Sequence, residues 1–158
     1  MLYHHLMLKT NYLKVTVAVA LFCLPFCAKA QTGKTGFNHA AICVKNLKES
    51  NEFYTSVLKL QIIPNPFKDT VHTWYSIAPN VAMHVIQGDC PRVTRNRGDH
   101  LCFSVASITE FVAMLDKKKI PYCNWKGVTG QVEHRVDGVS QVYITDPDGF
   151  WIEVNDVK

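Results

Sequence analysis

The sequence predicts an α+β fold made of two similar βαβββ modules, about residues 36–88 and 98–156, paired around one metal-containing cavity. Three observations carry this expectation. "NHAAICV" (Asn38 to Val44) and "DHLCFSV" (Asp99 to Val105) each place a His second and run into an amphipathic stretch. The interval from His39 to His100 is 61 residues, one module length. Each amphipathic stretch is then followed by strand candidates separated by turn signals, and a half-sized unit of this kind leaves a sheet face uncovered unless a second unit pairs with it.

Residues 1–30 stand apart from this pattern. Lys9 and Lys14 precede the apolar run from Val15 to Cys27, and Ala28, Lys29 and Ala30 offer small residues around a cut before Gln31. This is the layout of a secretory signal peptide. The run is short for a membrane span, which needs about 20 residues, so no stable membrane insertion is expected after cleavage. The expectation is an exported protein, periplasmic or secreted, with residues 31–158 as a single domain. Three of the 17 basic residues and none of the 13 acidic ones lie in 1–30, leaving 14 against 13. The basicity belongs to the leader, and nothing asks for nucleic acid as a partner.

In the first module the helix is expected over "KNLKESNEFYTSVLKL", with Leu47, Phe53, Tyr54, Val57 and Leu58 on one face, followed by strands at "LQIIP", "VHTWYSI" and "VAMHVIQ". In the second, Ile108, Phe111, Val112 and Leu115 mark the helix, and "KIPYCNW", "QVEHRV", "SQVYIT" and "FWIEV" are strand candidates. The "DG" at Asp137-Gly138 and the "DPDG" at Asp146 to Gly149 are turns. The stretch "GDCPRVTRNRGD" has no apolar periodicity and reads as the connector, with Arg92, Arg95 and Arg97 as a solvated charge run. Lys117 to Lys119 end a helix, where cations oppose its dipole. Of the four Cys beyond the leader, Cys43 and Cys102 lie in apolar strand patterns and read as buried thiols, while Cys90 and Cys123 sit near turn signals and are freer to pair.

Glu153 sits inside the closing apolar run "FWIEV", where an ionised carboxylate is costly unless it is paired or holds a metal. His84 occupies the matching place in the closing strand of the first module, and His39 and His100 match each other in the opening strands. Three imidazoles and one carboxylate from four strands suit a divalent transition metal such as zinc, nickel, iron or manganese. Asp146 and Asp148 are explained by turn chemistry. Alternation lets only one of Trp74 and Tyr75 face the cavity, and His134 and Arg135 are further pocket candidates.

The strand before "FYTSVLKL", the "GDHLCFSV" strand and above all "DGVSQVYITDPDGFWIEV" resemble the vicinal oxygen chelate superfamily, which includes glyoxalases, bleomycin resistance proteins and extradiol dioxygenases, over about Gly36 to Asp156. The resemblance implies a glyoxalase-like fold whose metal binds a small-molecule substrate through adjacent oxygens, in intrachain or homodimeric arrangements. It places His39, His84, His100 and Glu153 at the four metal-facing positions, with His84 where many bacterial glyoxalases I carry Glu. The activity it implies is that of a metal-dependent lyase or isomerase similar to lactoylglutathione lyase, with an enediolate stabilised by the metal and Glu153 as the catalytic proton carrier. Two alternatives are an Fe(II) ring-cleaving type of dioxygenase using His39, His100 and Glu153, and non-catalytic sequestration of a small molecule.

Overall fold

The computed structural model describes residues 35–91 and 94–158. The expected leader over 1–30 lies outside the described residues, as does Arg92.

Two four-stranded sheets follow one another with the same internal plan. The first holds β1 (His39–Val44), β2 (Gln61–Ile63), β3 (His72–Ala78) and β4 (Val81–Gln87), in the order β1-β4-β3-β2. The second holds β5 (His100–Ser104), β6 (Glu133–His134), β7 (Ser140–Thr145) and β8 (Trp151–Asn155), in the order β5-β8-β7-β6. Helix α1 (Leu47–Ser56) crosses from β1 and α2 (Ile108–Lys118) from β5. Both start on a polar cap: Asn46 Oδ1 accepts from the Lys48 and Glu49 amides, and Ser107 Oγ accepts from the Glu110 amide. Lys119 closes α2 in the left-handed region.

The register makes the repeat quantitative. β1 runs parallel to β4 with His39 opposite Ala82, and β5 runs parallel to β8 with His100 opposite Trp151. In each sheet the closing strand's candidate ligand, His84 or Glu153, stands two residues beyond that pairing. Since strand side chains alternate between faces, His39 shares a face with His84, and His100 with Glu153.

The opposite faces make the core. Ile42, Val44, Tyr75, Met83 and Val85 from the first sheet and Val142, Ile144, Ile152 and Val154 from the second are buried in one cluster with Tyr54, Ile108, Phe111 and Leu115 of the helices. This pooling of apolar surface is the dominant favourable term in joining the modules. It also draws the modules together through the faces that carry no candidate ligand.

Two strand expectations need correction. "KIPYCNW" makes only isolated bridges, from Cys123 to Thr129 and Tyr143, and "QVEHRV" pairs over Glu133 and His134 alone. Pro121 removes an amide donor, and turns closed by Gly127 and Gly130, both at positive φ, bend the chain before a ladder can lengthen. The thiols are also redistributed. Cys43 lies on the outer face of β1 and is disulfide-bonded to Cys90, while Cys123 is buried and Cys102 exposed. The Gly88 amide bonds to the Val44 carbonyl at 3.1 Å, which brings Cys90 beside the end of β1.

Candidate metal centre

In the first sheet the His39 and His84 rings lie 5.2 Å apart, edge to face. His84 is buried, stacked on Trp74 across the β3–β4 pair at 4.1 Å, and His72 lies parallel to it at 5.9 Å. Of the pair Trp74 and Tyr75, Trp74 therefore shares the His84 face and Tyr75 enters the core. Neither ring nitrogen of His84 has a hydrogen-bond partner among the described residues. Burial, with His39 and His72 close by, holds this imidazole below its usual pKa and so in the neutral form that ligates metals.

In the second sheet His100 Nε2 lies 3.3 Å from Glu153 Oε2. Glu153 is buried, and its oxygens accept from Tyr143 Oη at 2.6 Å, Asn155 Nδ2 at 3.0 Å and Cys102 Sγ at 3.3 Å. Burial raises the carboxyl, but these bonds and His100 outweigh it and bring it below its ordinary value. The same contacts act in reverse on the donors: burial first, then Glu153, pushes the Cys102 thiol up to about 12 and raises Tyr143. Arg135 pairs with Asp137 at 2.5 Å and lies 4.0 Å from Glu153, at the rim of this group, while His134 bonds Ser140 Oγ.

Three imidazoles are each fixed through Nδ1. His39 Nδ1 is tied to Asn38 Oδ1 at 2.7 Å, His100 Nδ1 to the Arg97 carbonyl at 2.8 Å and His72 Nδ1 to Asp69 at 2.8 Å. A metal-bound His is ordinarily oriented by such a bond through its other nitrogen. With the unpartnered nitrogens of His84, these residues fit a divalent cation in donor type. The four candidate ligands nevertheless form two pairs on two sheets, and among the described residues no three His, Cys, Asp or Glu side chains are gathered to hold one ion. The expected convergence of the two faces within the chain is absent because the apolar faces pack together instead. A concavity of about 200 Å³ between the 121–129 segment and the second sheet takes in Tyr143 and Trp151 but none of the four.

Several residues near the site escaped sequence reasoning. His72 was signalled by its two-residue spacing from Trp74 on a strand opposite His84. Tyr143 and Asn155 carried no signal of their own, since a Tyr in an apolar strand reads as core. Arg95 and Arg97 of the connector do not belong to a solvated run: Arg95 lies over the Phe150 ring at 3.5 Å, and Arg97 lies over Trp151 at 4.6 Å and bonds the Trp125 carbonyl.

Residues 36–154 match the family model described as Glyoxalase/Bleomycin resistance protein/Dioxygenase superfamily. A lactoylglutathione lyase of Pseudomonas putida is 24% identical over 80% of this chain and 88% of its own length. Among solved structures, a lactoylglutathione lyase from Agrobacterium tumefaciens is similar with a TM-score of 0.57 and 15% identity, over 78% of this chain and 95% of that one. The fosfomycin resistance protein FosX from Listeria monocytogenes is similar with a TM-score of 0.59 and 16% identity, over 79% and 95%. At these identities the structures speak for the fold, and the family match speaks for descent. The chain belongs to the Glyoxalase/Bleomycin resistance protein/Dioxygenase superfamily.

Proposed function

We propose that the chain is a divalent-metal-dependent lyase or isomerase similar to lactoylglutathione lyase, and that His39, His84, His100 and Glu153 hold its metal. The observation that carries this reading is His84: a buried imidazole with both nitrogens unpartnered is costly in an apolar setting, and a ligand role accounts for it. The distant relationship to the Pseudomonas putida lactoylglutathione lyase supports the reaction class.

A second copy of the chain completes the site in this reading, bringing the His39 and His84 face of one protomer against the His100 and Glu153 face of the other. Support comes from the placement of both pairs on the sheet faces opposite the core and from β1 and β5, each of which ends its sheet with one edge unpaired among the described residues. The protein is exported in the same reading. The Cys43–Cys90 disulfide supports this, because such bonds persist in oxidising compartments.

When bound, the metal supplies a Lewis acid that offsets negative charge on two adjacent substrate oxygens. The chain's own residues do the rest. Asn38 and the Arg97 carbonyl orient the two opening-strand imidazoles. Tyr143 and Asn155 fix the Glu153 carboxylate, and Glu153 takes a proton from one substrate carbon and returns it to its neighbour.

The protein is tested by metal analysis, by melting with zinc, nickel, manganese or anaerobic Fe(II), and by assay with an α-ketoaldehyde and a range of thiols. Bound metal, a raised melting temperature and isomerisation of the hemithioacetal are expected. Oxygen uptake with a catechol would put the dioxygenase reading first, and a protein that no metal stabilises would leave sequestration.

A further inference from the structure

We propose that the Cys43–Cys90 disulfide is a covalent attachment site for a small anionic thiol, which exchanges onto Cys90 while Lys45 and Arg95 hold its carboxylate. The inference uses none of the candidate metal ligands and stands apart from the metal reading.

Both cysteines are half-buried, and they line a concavity of about 500 Å³ together with Lys45, Arg95 and the turn at 147–149. The Lys45 amide bonds to Asp148 Oδ1 at 3.2 Å, which fastens the end of the strand that carries Cys43 to that turn. The disulfide therefore forms part of the wall of a built cleft, where a dissolved thiol reaches it without unfolding. Exposed disulfides are the labile class.

Two cations frame the cleft. The Arg95 guanidinium is held over the Phe150 ring at 3.5 Å, and Lys45 stands two residues beyond Cys43. Neither is in an ion pair among the described residues. Asp148 is the one carboxylate in the lining, and one of its oxygens is already engaged by the Lys45 amide, while Asp89 is exposed and outside the lining. A guanidinium and an ammonium without protein counter-charges suit a carboxylate.

In the exchange the incoming thiol gives its proton to solvent, and its sulfur attacks Cys90 Sγ. A new S–S bond forms there as the Cys43–Cys90 bond breaks, and Cys43 leaves with the electron pair and takes a proton from water. One disulfide replaces another, so no outside oxidant is consumed. Cys43 is the leaving side because it is held in the ladder opposite Ile86, with Lys45 near the thiolate it becomes, whereas Cys90 lies in the connector and carries the adduct outward.

The test uses the full chain with its free thiols blocked by N-ethylmaleimide. It is then treated with 3-mercaptopropionate, 2-mercaptoethanol or cysteamine, and quenched with iodoacetamide. Each rate is divided by that probe's rate with an uncharged aliphatic disulfide. At low salt the anionic probe should react about 10-fold faster than the neutral one on this scale, and the cationic probe slower. Peptide masses should show the probe on Cys90 and the alkyl group on Cys43. The preference should collapse towards one in about 1 M salt, where the screening length is about 3 Å, and in the Lys45→Gln, Arg95→Gln double variant with an unchanged melting temperature. The salt series on the parent decides the matter if that variant does not fold. Equal normalised rates, a preference that salt leaves unchanged, an adduct on Cys43, or a pair that is reduced or that no probe opens in the folded protein overturns the proposal.

Discussion

Tyr54 of α1 donates its phenolic O–H to Asp146 Oδ2 at 2.8 Å, joining the helix of the first module to the turn that precedes β8 in the second. Both side chains are buried, and the other Asp146 oxygen accepts from the Asp148 and Phe150 amides. The turn that places Glu153 is thus fastened from across the module boundary. Tyr54→Phe keeps the ring but leaves a buried carboxylate oxygen short of a donor, so a loss of about 1–3 kcal/mol is expected. Urea unfolding monitored by tryptophan fluorescence measures it, and a change near zero would show that water replaces the hydroxyl.

Burial raises the Asp146 carboxyl above its ordinary value despite the Phe150, Tyr54 and Asp148 bonds that pull it down. A group with a raised folded-state pKa binds more protons when folded, so its contribution to stability falls as pH rises from its unfolded value, about 3.9, through the folded one. Asp146→Asn removes that titration. The stability of the variant relative to the parent should therefore climb with pH above about 4. A constant difference across that window would mean no shift, and a falling one a shift in the other direction.

The Cys43–Cys90 bond spans a separation of 47 residues, from the end of β1 to the connector beyond β4. It ties together the far ends of the two strands that carry His39 and His84. Cross-links of this kind typically contribute about 2–4 kcal/mol by restricting the unfolded chain. Reduction, or Cys90→Ser, should lower the melting temperature accordingly. An unchanged melt would mean that the pair is not oxidised in the isolated protein.

The fold was legible wherever a periodic signal coincided with a local constraint. His39 and His100 could be matched because each opens a strand that feeds a helix, and the observed register sets both in the same relation to His84 and Glu153. The disulfide was not legible because strand alternation puts Cys43 on the outer face, and whether an outer-face Cys meets a partner depends on the turn at Gly88. The face-to-face closure of the modules was expected from the cost of uncovered sheets. The core shows that the helix-bearing faces meet that need first, through Tyr54, Ile108, Phe111 and Leu115. Pairing within the chain and the proposed pairing with a second copy would each cover a sheet face, and sequence periodicity does not distinguish them.

Glu153→Gln keeps the shape of the side chain and removes its charge. The bonds from Tyr143, Asn155 and Cys102 then face a neutral amide, one of whose two atoms is a donor. Metal affinity should fall by more than the roughly 10- to 100-fold seen when only an orienting partner is lost. Titration with zinc followed by calorimetry measures it. An unchanged affinity would make Glu153 a structural carboxylate held by its donors alone.

His84 offers the sharpest separation between a ligand and a core residue. Its ring is buried against Trp74 with two unpartnered nitrogens, so the folded protein carries a cost there that an apolar ring of similar shape would not. His84→Phe should leave the metal-free protein as stable as the parent or more stable by about 1–2 kcal/mol. It should also abolish the gain from added metal, which for the parent is about 2.7 kcal/mol at a concentration 100 times the dissociation constant. His39→Ala, at an exposed position, should change metal-free stability by no more than about 0.5 kcal/mol yet remove the same gain. Stability that rises while metal response disappears identifies a residue kept for binding rather than packing. If His84→Phe melts well below the parent and still responds to zinc, His84 is a packed core imidazole and the first-module half of the centre is lost.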